Sequence, residues 1–110
     1  MGALIDRQIL LEVCDQDEEM AAELLEAFCE EGICQIDNLN MAFSDKNWKD
    51  YVIYVHGMKS SARSIGASSA AEEALNLEMA GKQDNISYIN DNHESFLNLF
   101  KDTINEANMS

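Results

Sequence analysis

The chain has 110 residues, 46% hydrophobic and 25% charged, which is the size and make-up of one globular domain spanning residues 1–110 with one hydrophobic core. A net charge of −14 and an isoelectric point near 4.2 would repel duplex nucleic acid and an anionic membrane, so partners are expected among proteins or small molecules. No apolar run approaches the roughly 20 residues a bilayer-spanning helix needs, and the start lacks the basic-then-apolar order of a secretory signal.

With no Pro and 5 Gly, little interrupts helical periodicity. A short first helix is expected from about Leu4 to Val13. Asp15 or Asp17 can cap the second, where Glu18 and Glu19 suit the positive N-terminal end. Its apolar stripe is Leu25, Phe28, Gly32, Ile36, Leu39 and Phe43, stepping by three and four. Asn47 caps the third helix, with Asp50 in a capping-box-like place. That helix buries Trp48, Tyr51, Val52, Val55, Met58, Ala62 and Ile65, and Gly66 takes the left-handed position after its end. Ser68 or Ser69 caps a shorter helix through Ala71, Ala74, Leu75 and Glu78, stopped near Gly81. Asp84 starts the last, with Ile86, Ile89, Phe96, Leu97, Phe100 and Ile104 inward and a frayed tail from about Asn108. Short connections make sequential helices antiparallel neighbours. The fold class is therefore all-α: an antiparallel up-and-down four-helix bundle with a short additional N-terminal helix.

His56 is out of place in this pattern. At about 100° per residue it falls roughly 120° from the centre of the third helix's core stripe. Lys49, Ile53, Ser60 and Arg63 share its side, and Lys59 lies between it and the core. Four of the chain's 7 basic residues, Lys46, Lys49, Lys59 and Arg63, fall between positions 46 and 66. Against the single acid Asp50 that segment carries +3, and three bases against twenty acids leave −17 for the rest. A positive island thus surrounds an exposed imidazole. Neutral imidazole near pH 7 keeps a ring nitrogen free to attack phosphorus. The anionic product is stabilised by nearby cations. Lys59 and Ser60, at i+3 and i+4, are the helical neighbours of His56. Gly57, at a helix cost of about 1 kcal/mol, leaves a partner room to approach.

The run from Val55 through His56, Gly57, Met58, Lys59, Ser60, Ser61, Ala62, Arg63, Ser64, Ile65 and Gly66 to Ala67 closely resembles the signature of histidine phosphotransfer (HPt) domains of two-component phosphorelays. Ala74, Leu75, Leu77 and Glu78 resemble the family's following A-x-x-L-E-type helix. The resemblance implies a four-helix bundle with His56 as phosphoacceptor. It also implies Lys59 in phosphate electrostatics and Gly66 as a structural residue; the helical placement described above adds Ser60, Arg63, Gly57 and Lys49 in support. Ser60 stands where many members have Gly. Partners would be receiver domains of response regulators or hybrid histidine kinases, which supply the aspartate and Mg²⁺; the chain itself needs no cofactor and holds no metal. Without a P-loop, a kinase Gly-rich loop or Mg²⁺ ligands, it would be a carrier and not an ATP-dependent kinase. Ile53 is a candidate docking contact.

Other features have plainer readings. His93 lies on the last helix's apolar stripe and is expected to be a satisfied core histidine. Trp48 and Tyr51 read as core. The acids Asp15, Asp17, Glu18 and Glu19 lack the glycine and distal Glu of a calcium-binding EF-hand loop. Cys14, Cys29 and Cys34, odd in number and without C-x-x-C spacing, suggest reduced thiols in the cytoplasm. The starting Met and compact length favour a free-standing protein over an excised module, and four different amphipathic helices that can close one bundle favour a monomer. Two rivals remain at this level. A sensor-kinase dimerisation and phosphoacceptor domain would have an acid after the His and a Pro beyond it. A non-catalytic adaptor would bind receivers without phosphotransfer. A metal-binding bundle lacks Glu-x-x-His pairs.

Overall fold

The computed structural model describes residues 3–109. Five helices follow one another among them: α1 (Arg7–Val13), α2 (Glu18–Ser44), α3 (Trp48–Ser64), α4 (Ser68–Lys82) and α5 (Ile86–Asn108). Helix α2 packs on α3 and α5, and α4 packs on the same two, so α2 to α5 close a ring in chain order. This is the antiparallel up-and-down bundle, with α1 laid against one end.

Each helix start has a local cause. The Asp17 side chain accepts the amides of Glu19 and Met20, and Asn47 accepts that of Asp50. Helix α1 begins three residues later than Leu4, because Asp6 is extended (φ −85, ψ 105) and serves as its N-cap, and the amides before it bond elsewhere. Those of Leu4 and Ile5 go to the Glu106 carboxylate on α5, at 2.9 and 2.7 Å, and that of Asp6 goes to the Gly66 carbonyl at 2.9 Å. Asp6 then caps α1 through the amides of Gln8 and Ile9.

The three connections inside the bundle are alike. Each has a C-cap residue, one residue at positive φ, and the N-cap of the next helix: Asp45–Lys46–Asn47, Ile65–Gly66–Ala67 and Gln83–Asp84–Asn85. In each, the paired 6→1 and 5→2 hydrogen bonds of a Schellman ending close the helix, as with Ala67 N–H to Ala62 O (2.9 Å) and Gly66 N–H to Arg63 O (3.2 Å). Gly66 is the glycine among them, with φ +75, and a Cβ there would sit 2.6 Å from the Asp6 carbonyl oxygen.

Two expected boundaries move, while α4 ends at Lys82, one residue past Gly81 as expected. Gly81 lies buried in its last turn, where a Cβ would meet Val52 Cγ2 at 2.5 Å. Close approach of α4 to α3 is its reason for being glycine. Asp84 holds the left-handed position and Asn85 is the N-cap of α5, accepting the Tyr88 amide. Neither Ser68 nor Ser69 caps α4: the N-cap is Ala67, with no side-chain bond. At the far end α5 stays helical through Asn108, and Ser110 lies outside the described residues.

Tyr51, Phe96, Phe100, Leu10, Leu39, Met58, Ile65, Leu77 and Ile89 are fully buried and fill the core. At about 25 cal/mol per Å² of apolar surface, such burial is the main term holding the helices together. Of the expected apolar stripes, Phe43, Trp48, Val52, Leu75 and Ile86 are only half-buried. His93 is buried and satisfied: it stacks on Phe43 at 3.9 Å, Nδ1 meets the Tyr51 hydroxyl at 2.9 Å, and Nε2 meets Asn40 Oδ1 at 2.9 Å.

Candidate functional site

Helix α3 presents His56 where α3 and α4 meet. Tyr51, Val55, Met58 and Ala62 turn into the core, which rotates His56 out to the rim of α3 with its side chain 57% exposed. Its ring is not free to spin. Nδ1 lies 3.0 Å from Oε2 of Glu78 on α4, a carboxylate only 3% exposed. The other oxygen, Oε1, takes the Lys59 ammonium at 2.7 Å, and Lys82 reaches Oε2 at 2.9 Å.

A buried carboxylate is costly unless paired and hydrogen-bonded. Burial alone would raise the pKa of Glu78. Hydrogen bonds from Lys59, Lys82 and His56 outweigh it and hold the carboxyl down at about 2. Glu78 is thus ionised at neutral pH and can only accept hydrogen bonds. The proton in the His56–Glu78 bond must therefore sit on Nδ1. A neutral His56 then keeps its lone pair on Nε2, which has no hydrogen-bond partner among the described residues.

The positive island is spread more widely than the sequence implied. Lys49 and Arg63 are exposed but lie seven residues from His56 on either side, about 10 Å along the helix axis. Lys46 sits farther off, in the α2–α3 connection. Lys59 does not face solvent beside the imidazole; its side chain is only 10% exposed and its charge is engaged by Glu78. Ser60 and Ile53 are exposed on the same face, and Gly57 is half-buried beside α2. A Cβ on Gly57 would meet only Gln35 Nε2, at an ordinary 3.9 Å. Nothing inside the fold demands glycine there.

Sequence reasoning placed Glu78 in α4 but gave it no part in the site, and it left out Lys82. A signal existed for both. Glu78 falls on the apolar stripe with Ala71 and Ala74, where a carboxylate needs partners, and Lys82 is at i+4 from it.

The Hpt domain family model matches residues 23–107, which takes in α3, α4 and nearly all of α2 and α5. The chain belongs to the Hpt domain family. The fold of this HPt domain is similar to the crystal structure of the HPT domain from a sensor hybrid histidine kinase from Shewanella. The TM-score is 0.87 over 96% of this chain and 92% of that one, at 10% sequence identity. No curated protein matches the chain. Membership supports a phosphocarrier role in a phosphorelay, as an intermediate and not as a kinase, and it implies interaction with receiver domains. Among the described residues no helix is long and apolar enough to cross a membrane.

Proposed function

We propose that His56 accepts a phosphoryl group on Nε2 from the aspartyl phosphate of one receiver domain and hands it to the aspartate of another. One observation carries this reading: in an Hpt-family bundle, the exposed imidazole is tied through Nδ1 to an ionised carboxylate, which leaves Nε2 as the outward nucleophile.

The chemistry balances without a base. The Nε2 lone pair attacks phosphorus. The bond between phosphorus and the aspartyl oxygen breaks, and its electrons return to the receiver carboxylate. The ring keeps its Nδ1 proton and becomes cationic, and Glu78 alongside stabilises that charge. A second receiver carboxylate reverses the steps. Mg²⁺ would come with the receiver and neutralise charge on the phosphoryl oxygens; this domain supplies the nucleophile and its orientation. Ile53 offers an apolar docking contact, Ser60 and the missing side chain of Gly57 let a partner come close, and Lys49 and Arg63 attract an anionic partner surface. The free thiols Cys14, Cys29 and Cys34 fit a reducing cytoplasm, where such relays work.

Incubating the domain with an aspartyl-phosphorylated receiver and Mg²⁺, beside His56→Gln, tests the proposal. Acid-labile, base-stable phosphate on the wild type alone is the expected result. Binding without transfer across a broad receiver panel would make the domain an adaptor instead.

A further inference from the structure

The family signature points to the lysine three residues after the histidine as the cation of the site. The geometry points elsewhere. Lys59 and Lys82 both pair with Glu78, but in different settings. Lys59 is 10% exposed and holds Oε1 at 2.7 Å, inside the α3–α4 seam. Lys82 is 61% exposed and shares Oε2 with the imidazole: its Nζ is 2.9 Å and His56 Nδ1 3.0 Å from that one oxygen. The Lys82 ammonium is therefore one contact away from the His56 ring. A lysine head carries three donors, and its pairing with Glu78 leaves some of them for another acceptor.

The cost of moving each lysine differs. Withdrawing Lys59 would strip a buried carboxylate of its shortest partner, a loss that buried pairs tolerate poorly. Withdrawing Lys82 leaves Glu78 with Lys59 and His56 still in place, and the lysine, 61% exposed, can exchange its bond to the buried carboxylate for water or another anion. A phosphoryl group on Nε2 would bring about two negative charges to the rim of this cluster. Lys82 is the cation that can turn to meet them.

We propose that Lys82 binds the phosphoryl group of phosphorylated His56, while Lys59 acts as a positioning residue that holds Glu78 and, through it, the ring. This rests on the phosphocarrier reading above. It divides the work of the site between a fixed lysine on α3 and a movable one on α4.

The test uses the full chain phosphorylated with phosphoramidate, a small donor that needs no receiver, and followed by phosphorus NMR across pH. A cation at the phosphoryl group stabilises its dianion and lowers the pH at which it titrates. Lys82→Gln should raise that midpoint by about half a unit, a threefold change in proton affinity. Lys82→Arg should bring it back towards wild type. Transfer from a phosphorylated receiver to Lys82→Gln should slow about tenfold, the scale of one lost charged hydrogen bond. An unmoved midpoint in Lys82→Gln, with the wild type well labelled, would overturn the Lys82 assignment alone. Failure of the wild type to label with either donor, or equal labelling of His56→Gln, would remove the phosphocarrier reading itself.

Discussion

His93 is 4% exposed, and burial lowers its pKa from 6.5 to about 4, so its ring is neutral at pH 7. Neutral, it donates from Nε2 to Asn40 and accepts the Tyr51 hydroxyl proton at Nδ1, linking α2, α3 and α5. Glu78 is perturbed in the same direction: burial opposes its charge, but its hydrogen bonds set the pKa at about 2 against 4.5. A depressed pKa means the unfolded chain binds that proton more tightly. The stability each group contributes is full above its unfolded pKa and is lost as pH falls through the folded one. For His93 the window is 6.5 down to about 4, and for Glu78 it is 4.5 down to about 2. At 1.36 kcal/mol per unit, each is worth on the order of 3 kcal/mol. Urea-unfolding free energies should therefore begin to fall below pH 6.5, well before carboxylates titrate. His93→Gln should flatten the upper part of the curve and Glu78→Gln the lower. A His93→Gln curve parallel to wild type between pH 6.5 and 4.5 would show that the buried ring is not the cause.

The connections between helices make a prediction of their own, because three turns share one conformation and only one has a glycine in it. Lys46 at φ 55 and Asp84 at φ 56 carry a Cβ in the left-handed region, a strain of about 1 kcal/mol that glycine avoids. Lys46→Gly is expected to stabilise the fold by about 0.5–1 kcal/mol. Gly66→Ala should destabilise it by more than that, since a Cβ there also strikes the Asp6 carbonyl that anchors the start of α1. Chemical denaturation of both variants checks the pair, and a neutral Gly66→Ala would mean that α1 simply moves away. These turns also show what a sequence makes legible. Asn47 could be placed as a cap, and that of α2 narrowed to Asp15 or Asp17, of which Asp17 serves, because an acceptor side chain before an apolar stripe reads as a helix start. Gly66 could be placed because it follows a stripe directly. Gly81 marks the end of α4 to within a residue, but the sequence does not show that it is glycine for close contact with Val52 on α3. Lys46 carries no composition cue for left-handed backbone, and Asp84, a type that tolerates it, reads equally well as an N-cap. The exposed face of α3 follows from periodicity, so His56 and Ile53 could be placed. The contacts of Glu78 with His56 and Lys59 cross from α4 to α3 and depend on which faces of two helices meet, which periodicity within one helix does not reveal; only the Lys82 pair, at i+4 within α4, is local.

At the scale of the molecule, the charge is unevenly shared. The segment from 46 to 66 carries +3 and the rest −17, on a body 41 by 24 by 21 Å. Like charges this close destabilise a compact state through mutual repulsion, and salt relieves it. The Lys59–Glu78 pair in the α3–α4 seam is largely out of solvent and little affected by salt, so the helices bearing the site should not loosen as ionic strength rises. Salt should therefore act on this domain in two opposite ways. Going from about 20 mM to about 500 mM NaCl, which shortens the screening length from roughly 20 Å to roughly 4 Å, should raise the melting temperature by about 4–8 °C, the equivalent of about 1 kcal/mol. The same change should weaken capture of a phosphorylated receiver, because Lys49, Arg63 and Lys82 would attract its anionic surface only within the screening length. Calorimetry and stopped-flow transfer over one salt series read the two effects. A melting temperature that does not move would mean the acidic charge is balanced locally. Transfer that speeds up with salt would mean that the acidic body, and not the basic face of α3, governs the encounter.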